Sequence, residues 1–253
     1  MSAQIAVELA MVVAALVLGI TAIVRTRRAG ASVLDLLGLR WSPTAWRDLL
    51  AGMAITGLAI AGVFVAELGL GAIATAPAAP ASLSSLLGLA ALKLAFTFKE
   101  ELMMRSLLLA GLLMLLRGRA ALAVGLSALA FGLIHLSNPG ASALSVLGNT
   151  LGGVIYGTAF VLARSLWLPV GLHFAWNFVQ GPLVGFPVSG MAAGGLQTVR
   201  DLGPAWLTGG SYGPEAGAVG IVARFVVMAL LLGWIASRLR SGAPVPLAAV
   251  ATE

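Results

Sequence analysis

The sequence predicts an all-α fold, a polytopic transmembrane helix bundle of about seven to eight spans, and three observations lead there. Hydrophobic residues fill 60% of the 253 positions and charged residues only 9%, more apolar surface than a soluble core could hide. Apolar runs approaching the roughly 20 residues that a bilayer crossing needs recur along the whole chain. Glycine occurs 32 times and proline 11 times, and both are commoner in transmembrane helices, where close packing and helix breaks are tolerated. A single membrane domain over residues 1–253 is the natural unit, with no internal repeat.

The formal charge of +6 does not point to nucleic acid. The basic residues stand singly or in threes between apolar spans, as topology signals do. With no cysteine, disulfides, thiolate catalysis and thiolate metal sites are excluded.

The first span, residues 5–24, is followed directly by Arg25, Arg27 and Arg28, an order that suits a retained helix rather than a cleaved signal. Residues 25–47 read as an interfacial linker: ASVLDLLGL is short and amphipathic, and Trp41 to Arg47 carries two tryptophans and a proline. A second span covers 49–73, and an uncharged Ala- and Pro-rich loop covers 74–81. The stretch 83–116 would be about 50 Å long as one helix, yet a single crossing places Arg25, Arg27, Arg28, Arg40, Arg47, Arg117, Arg119, Arg164, Arg238 and Arg240 on one side, opposite Arg200. Further spans follow at 121–136, 141–163, 168–185 and 219–237. Residues 186–217 are expected to form an external loop and 241–253 a short flexible tail. This topology puts the N-terminus outside an integral, multi-pass protein, and a bacterial plasma membrane is the expected location.

An ionisable side chain at the bilayer centre costs about 3 kcal/mol or more, so it needs a partner or a cavity. Glu101 and Arg105, four residues apart, share a helix face and are expected to pair. Glu100 is turned about 100° away and is left for chemistry. The chain has two histidines, and both fall in spans: His135 in FGLIH and His173 in HFAWN. His173 and Asn177 project from one face, as do Phe131 and His135. One glutamate, two histidines and an asparagine could therefore meet in one cavity.

Each residue also has a plainer reading. Glu101 with Arg105 is a structural pair, Phe131 is core packing, and an intramembrane histidine can merely bridge two helices. Lys93 and Lys99 would snorkel or pair locally, and Glu8 and Glu67 lie near the outer ends of their spans, where water is close. Counting residues puts His173 about 9 Å and His135 about 20 Å from the basic side, depths that do not coincide in upright helices.

EELMMR, FGLIH and HFAWN resemble the EExxxR, FxxxH and HxxxN motifs of the CAAX protease and bacteriocin-processing family of intramembrane endopeptidases, which includes the type II CAAX prenyl endopeptidases. The resemblance covers roughly residues 84–185. It implies peptide-bond hydrolysis in a membrane-embedded cavity, on a membrane-associated peptide or protein substrate. Carried over by motif, Glu100 would be the general base activating water with His135, and His173 with Asn177 would stabilise the oxyanion or help hold a metal; Glu101, Arg105 and Phe131 would support them. Zinc with Glu100, His135 and His173 as ligands meets the usual count of three, but a ligating Glu100 could not also be the free base, and HExxH is missing. A metal-free mechanism stays open beside it. Two other classes compete: a proton-coupled transporter using Glu100, His135 and His173 as a relay, and a non-catalytic immunity or scaffold protein.

Overall fold

Helix starts are written into the chain as polar caps. The computed structural model describes residues 3–78, 82–192 and 194–240. Helix α1 spans Ala3–Arg28 and ends on three arginines, which suit the negative end of its dipole. A short turn, α2 (Val33–Leu36), follows, and beyond it Arg40 holds Asp35 at the surface with Nη2 donating over 2.9 Å. That guanidinium holds the Asp35 carboxyl below its ordinary range. Helix α3 (Pro43–Gly69) starts on the Ser42 side chain, which accepts from the Ala45 N–H, with Pro43 in the first turn, where no N–H is needed.

Strand β1 (Ile73–Pro77) leads to α4 (Leu83–Glu101), capped by Ser82 in the same way. The helix then runs on without a break through a π-helical stretch, Leu102–Leu109, into α5 (Ala110–Leu115). Helix α6 (Ala120–Leu133) tightens into a 3₁₀ turn, Ile134–Ser137. Helix α7 (Ala143–Ala163) opens with a reciprocal Ser142/Ser145 capping box. Helix α8 (Trp167–Phe178) ends in a π-helical turn, Val179–Leu183. Strand β2 (Gln197–Asp201), the single turn α9 (Ala205–Thr208) and two 3₁₀ turns precede α10 (Ala218–Arg240).

The helical bundle stands as the sequence predicts, with a lower span count. Among the described residues five helices are long and apolar enough to cross a membrane, within 8–28, 43–69, 120–137, 143–163 and 218–240. The two remaining expected spans are helical too, but α4 and its continuation carry five charges from Lys93 to Arg105, and α8 with its π turn is short. Most of α8 is buried from Leu168 to Trp176: it is wrapped by protein, so its position is not set by lipid. The chain is an integral membrane protein.

A second difference is a two-stranded antiparallel sheet inside the expected loops, pairing Ile73 with Asp201 through Pro77 with Gln197. Leu202 and Gly203 both donate to the Ala72 carbonyl and continue the tie. Residues 186–217 are therefore partly ordered against the bundle rather than forming a plain loop. Glu67 also departs from expectation: it is fully buried, and neither carboxyl oxygen meets a donor among the described residues. The expected tail, 241–253, lies outside the described residues.

Small residues set the helix crossings that position the site, as in other membrane bundles. A methyl on Gly171 would come within 2.2 Å of the Leu49 carbonyl oxygen, and one on Gly52 within 2.7 Å of the Leu168 carbonyl, so α3 and α8 touch backbone to backbone. Gly153 against Ala128 and Gly132 against the Val146 carbonyl do the same for α6 and α7. Across the bundle, Arg238 Nη1 of α10 donates to both oxygens of Asp48 in α3, at 2.9 and 2.8 Å, and Trp234 Nε1 adds a third bond at 3.2 Å. The interfacial segment is bonded to both helices that carry the glutamates and His173: Ser106 Oγ donates to the Leu37 carbonyl (2.7 Å), and the Leu166 N–H to that of Gly38 (2.8 Å).

Candidate active site

The adjacent glutamates of EELMMR part company where α4 passes into its π-helical stretch. Glu101 points inward and is fully buried, as is Arg105. Their charged groups meet at 3.1 Å without hydrogen-bond alignment. Arg105 Nη2 donates to the Gly153 carbonyl at 3.3 Å, and the guanidinium lies over the rings of Phe131 (4.7 Å) and Tyr156 (5.4 Å), contacts that help a buried cation. π-Helical turns inside α-helices recur at functional sites, and this one separates the two carboxylates from the α-helix that follows.

Glu101 does more than the pairing expected from sequence. His173 Nδ1 donates to its other oxygen, Oε1, at 2.8 Å, so one carboxylate joins α4 to α8. That bond assigns the proton to Nδ1 and leaves Nε2 as the open nitrogen, 3.8 Å from Glu100 Oε2. The imidazole is stacked on Tyr156 at 4.8 Å and meets Phe131 edge-on at 5.7 Å. His135 is oriented in a parallel way: Nδ1 donates to the Phe131 carbonyl at 2.7 Å, which leaves its Nε2 open as well. The ring of Phe131 stands 4.8 Å from that of His135, so this residue touches both imidazoles. It is packing, as expected, at the centre of the site.

Glu100, His135, His173 and Asn177 all line one cavity of about 330 Å³. The differing depths from residue counting do not keep the histidines apart, because α8 is enclosed by protein and its position does not follow an upright span. Glu100 is a quarter exposed and makes no side-chain hydrogen bond among the described residues. Asn177 Nδ2 reaches Thr97 Oγ1 at 3.5 Å, a weak contact that leaves the amide available.

Sequence reading missed the rest of the lining. Lys93 and Lys99 face the cavity, where snorkelling or local pairing was expected. Tyr156, Trp176, Glu215 and Arg224 also line it, from α7, α8, the segment before α10, and α10. Glu215 is buried and accepts from Gln180 Nε2 (2.7 Å) and Ser189 Oγ (3.2 Å), while Asn149 Nδ2 donates to the Tyr212 hydroxyl at 2.8 Å. Burial, and the Glu215 carboxylate after it, push the Tyr212 phenol up. The one available signal was a charge beside an apolar run, as in Glu215 and Arg224; no spacing links either to the motifs.

The arrangement offers a carboxylate and two imidazole nitrogens around a partly apolar space. Residues 80–179 match the Type II CAAX prenyl endopeptidase Rce1-like family. All three motifs fall inside the match, whereas Glu215 and Arg224 fall outside it. No curated protein and no solved structure matches the chain. The family is one of CAAX-type endopeptidases acting in membranes, and such an enzyme takes a peptide or protein substrate there.

Zinc is the cofactor to test against these side chains. A catalytic zinc takes three protein ligands at about 2 Å. Among the described residues no three histidine, aspartate or glutamate side chains gather as a metal-binding group. Glu100 Oε2 and His173 Nε2 are 3.8 Å apart, and each imidazole donates from Nδ1 to an oxygen and keeps Nε2 open, the arrangement that a metal-bound histidine also adopts. Glu100, His135 and His173 are not gathered into a three-ligand group among the described residues, and no step below passes through a metal.

Proposed function

We propose that the chain hydrolyses a peptide bond of a membrane-associated substrate, with Glu100 as general base. The observation that carries this reading is the division between the paired glutamates: Glu101 is held by Arg105 and His173, while Glu100 faces the cavity and has no hydrogen bond among the described residues. A base must be able to reach a water and take its proton, and a residue locked in an ion pair cannot.

In this mechanism a water beside Glu100 loses a proton to the carboxylate as its oxygen bonds to the scissile carbonyl carbon. The carbonyl π pair moves onto oxygen. His135, with its open Nε2, helps to orient the water. Asn177 and His173 stabilise the oxyanion, the amide donating directly and His173 donating from Nε2 a proton taken up from solvent before the water attacks and returned to solvent after the amine leaves. Collapse of the tetrahedral intermediate re-forms the carbonyl and breaks the C–N bond, and the departing amine takes the proton that Glu100 holds. Glu101 acts through His173 by fixing its tautomer, and Arg105 and Phe131 hold the two in place. The basic side of the bundle is read as cytoplasmic, with the N-terminus outside.

The test compares purified wild type with Glu100→Gln against membrane-tethered peptides. Loss of the base lowers kcat by about 10³-fold without shifting the unfolding midpoint, since Glu100 holds nothing together. Equal turnover in the two proteins refutes the assignment. Chelation leaves turnover unchanged in this mechanism; stoichiometric zinc together with chelator-sensitive cleavage would replace it with a metal-dependent one. Absence of cleavage, together with Glu100-dependent proton flux into vesicles, would replace the endopeptidase with a transporter.

A further inference from the structure

Helices α6 and α7 carry a second recess, a groove of about 360 Å³ that shares no lining residue with the Glu100 cavity. Small residues leave it open. On α6 it is edged by Ala120, Ala121 and Gly125, and on α7 by Val154, Val161 and Leu162. A methyl on Gly125 would meet nothing within 4 Å, whereas one on Gly132 or Gly153 would strike the other helix. The pair is thus in backbone contact at one end of its crossing and open at the other. From Val154 to Leu162 the groove follows α7 for about 12 Å, close to the roughly 15 Å of hydrocarbon in one leaflet.

The open end is basic. The turn leading into Ala120 holds Arg117 and Arg119, and Arg164 stands two residues beyond Leu162. Arg117 and Arg119 are exposed and Arg164 is half-buried. No carboxylate forms an ion pair with any of the three among the described residues. Asp35, whose charge reaches Arg164, is already paired with Arg40. Two of these arginines occupy left-handed backbone, with φ of 51° at Arg117 and 50° at Arg164, and Ser189 is the one other described non-glycine residue with a positive φ. Glycine would take such a turn without strain, so the turn geometry does not explain a long cation at both places.

We propose that this groove binds one anionic phospholipid, with an acyl chain between α6 and α7 and the phosphate held by Arg117, Arg119 and Arg164. Charge complementarity selects the occupant. The lining would accept any hydrocarbon chain, but three cations at its mouth favour a chain that ends in an anion. Basic pockets between transmembrane helices bind anionic headgroups on the cytoplasmic side, and these arginines lie on the side read as cytoplasmic. The lipid would bridge α6, which runs on to His135, and α7, which carries Tyr156, without touching either residue. Binding here does not depend on the reaction in the Glu100 cavity.

The experiment measures lipid binding to the full-length chain by native mass spectrometry over a series of lipid concentrations. The probes are phosphatidylglycerol and phosphatidylcholine with the same acyl chains, glycerol phosphate, and the uncharged isoprenoid farnesol. One phosphatidylglycerol should bind at least about tenfold more tightly than phosphatidylcholine, since each arginine near the headgroup adds about fivefold. Replacing the three together, Arg117→Gln, Arg119→Gln and Arg164→Gln, brings the two lipids to equal affinity. Gly125→Leu fills the groove and abolishes the tight site with every arginine in place. Removing the same charge from the end of α1, by Arg25→Gln, Arg27→Gln and Arg28→Gln, leaves the preference unchanged. Equal binding of the two lipids to wild type overturns the proposal, as does a preference that survives Gly125→Leu or falls equally with the α1 arginines. Displacement of the lipid by glycerol phosphate at similar concentration overturns it in favour of a simple anion site, and farnesol binding as tightly as phosphatidylglycerol overturns it in favour of an isoprenoid groove. A dimer that becomes a monomer on Gly125→Leu would give the groove to a second copy of the chain instead. If the triple variant does not fold, the three single Arg→Gln variants decide, each expected to weaken phosphatidylglycerol by about fivefold.

Discussion

The two walls of the cavity handle buried charge in opposite ways. On the motif wall the fully buried charges answer each other across helices: Arg105 to Glu101, and Glu101 to His173. What stays open there, Glu100 and the two Nε2 atoms, is open toward the cavity. Elsewhere in the lining Glu215 is satisfied by neutral donors, and among the described residues no carboxylate pairs with Arg224, whose Nε and Nη1 meet no acceptor. The difference separates a wall built to keep reactive groups in place from one whose charges form no ion pair among the described residues.

Three substitutions would break or sharpen this comparison. The largest effect belongs to Glu101→Gln, which strands Arg105 as a buried cation and frees His173 to turn. A loss of about 3–5 kcal/mol in unfolding free energy is expected, with turnover down by at least about tenfold from misorientation, read by denaturation in detergent and by peptide cleavage. A stable Glu101→Gln variant would mean that the motif wall is not organised around this carboxylate.

Glu215→Ala should cost less, about 1–3 kcal/mol, because it removes an acceptor from Gln180 and Ser189 while Gln180 Nε2 keeps the Pro187 carbonyl. A loss equal to that of Glu101→Gln, measured in the same way, would erase the contrast between the walls. The smallest effect is that of Tyr212→Phe, about 1 kcal/mol at neutral pH for the bond from Asn149. It also carries a pH signature. A phenol raised in the folded state supports stability fully below its unfolded pKa of about 10 and loses that support as pH rises through the folded value. Alkaline unfolding should therefore be shallower in Tyr212→Phe than in wild type, and parallel pH curves would contradict the burial of this hydroxyl.

The bundle was legible because lipid demands long apolar runs, and the motif residues were legible because polar groups in such runs stand out. His135, His173, Glu100 and Asn177 could be placed in one cavity from helix spacing and family likeness. Spacing could also pair Glu101 with Arg105, but the reach of Glu101 to His173 is a tertiary contact that no periodicity encodes. The same holds for Glu215 and Arg224, whose meaning comes from which helices they face. The β1 and β2 strands were hidden because each is five residues long and their pairing joins segments more than a hundred residues apart. The span count was overestimated because α8 is apolar for protein neighbours rather than for lipid, and composition does not distinguish the two.

The π-helical passage from Leu102 to Leu109 gives the chain an unusual sensitivity to length. Each residue of an α-helix advances the rotation by about 100°, whereas a π turn takes in an extra residue per loop. Deleting any one residue from this stretch would swing α5 and its contacts with Leu18 around the axis relative to Glu101, even if every remaining side chain were unchanged. In this part of the molecule the number of residues, more than the identity of any one of them, keeps the two ends of the helix in phase.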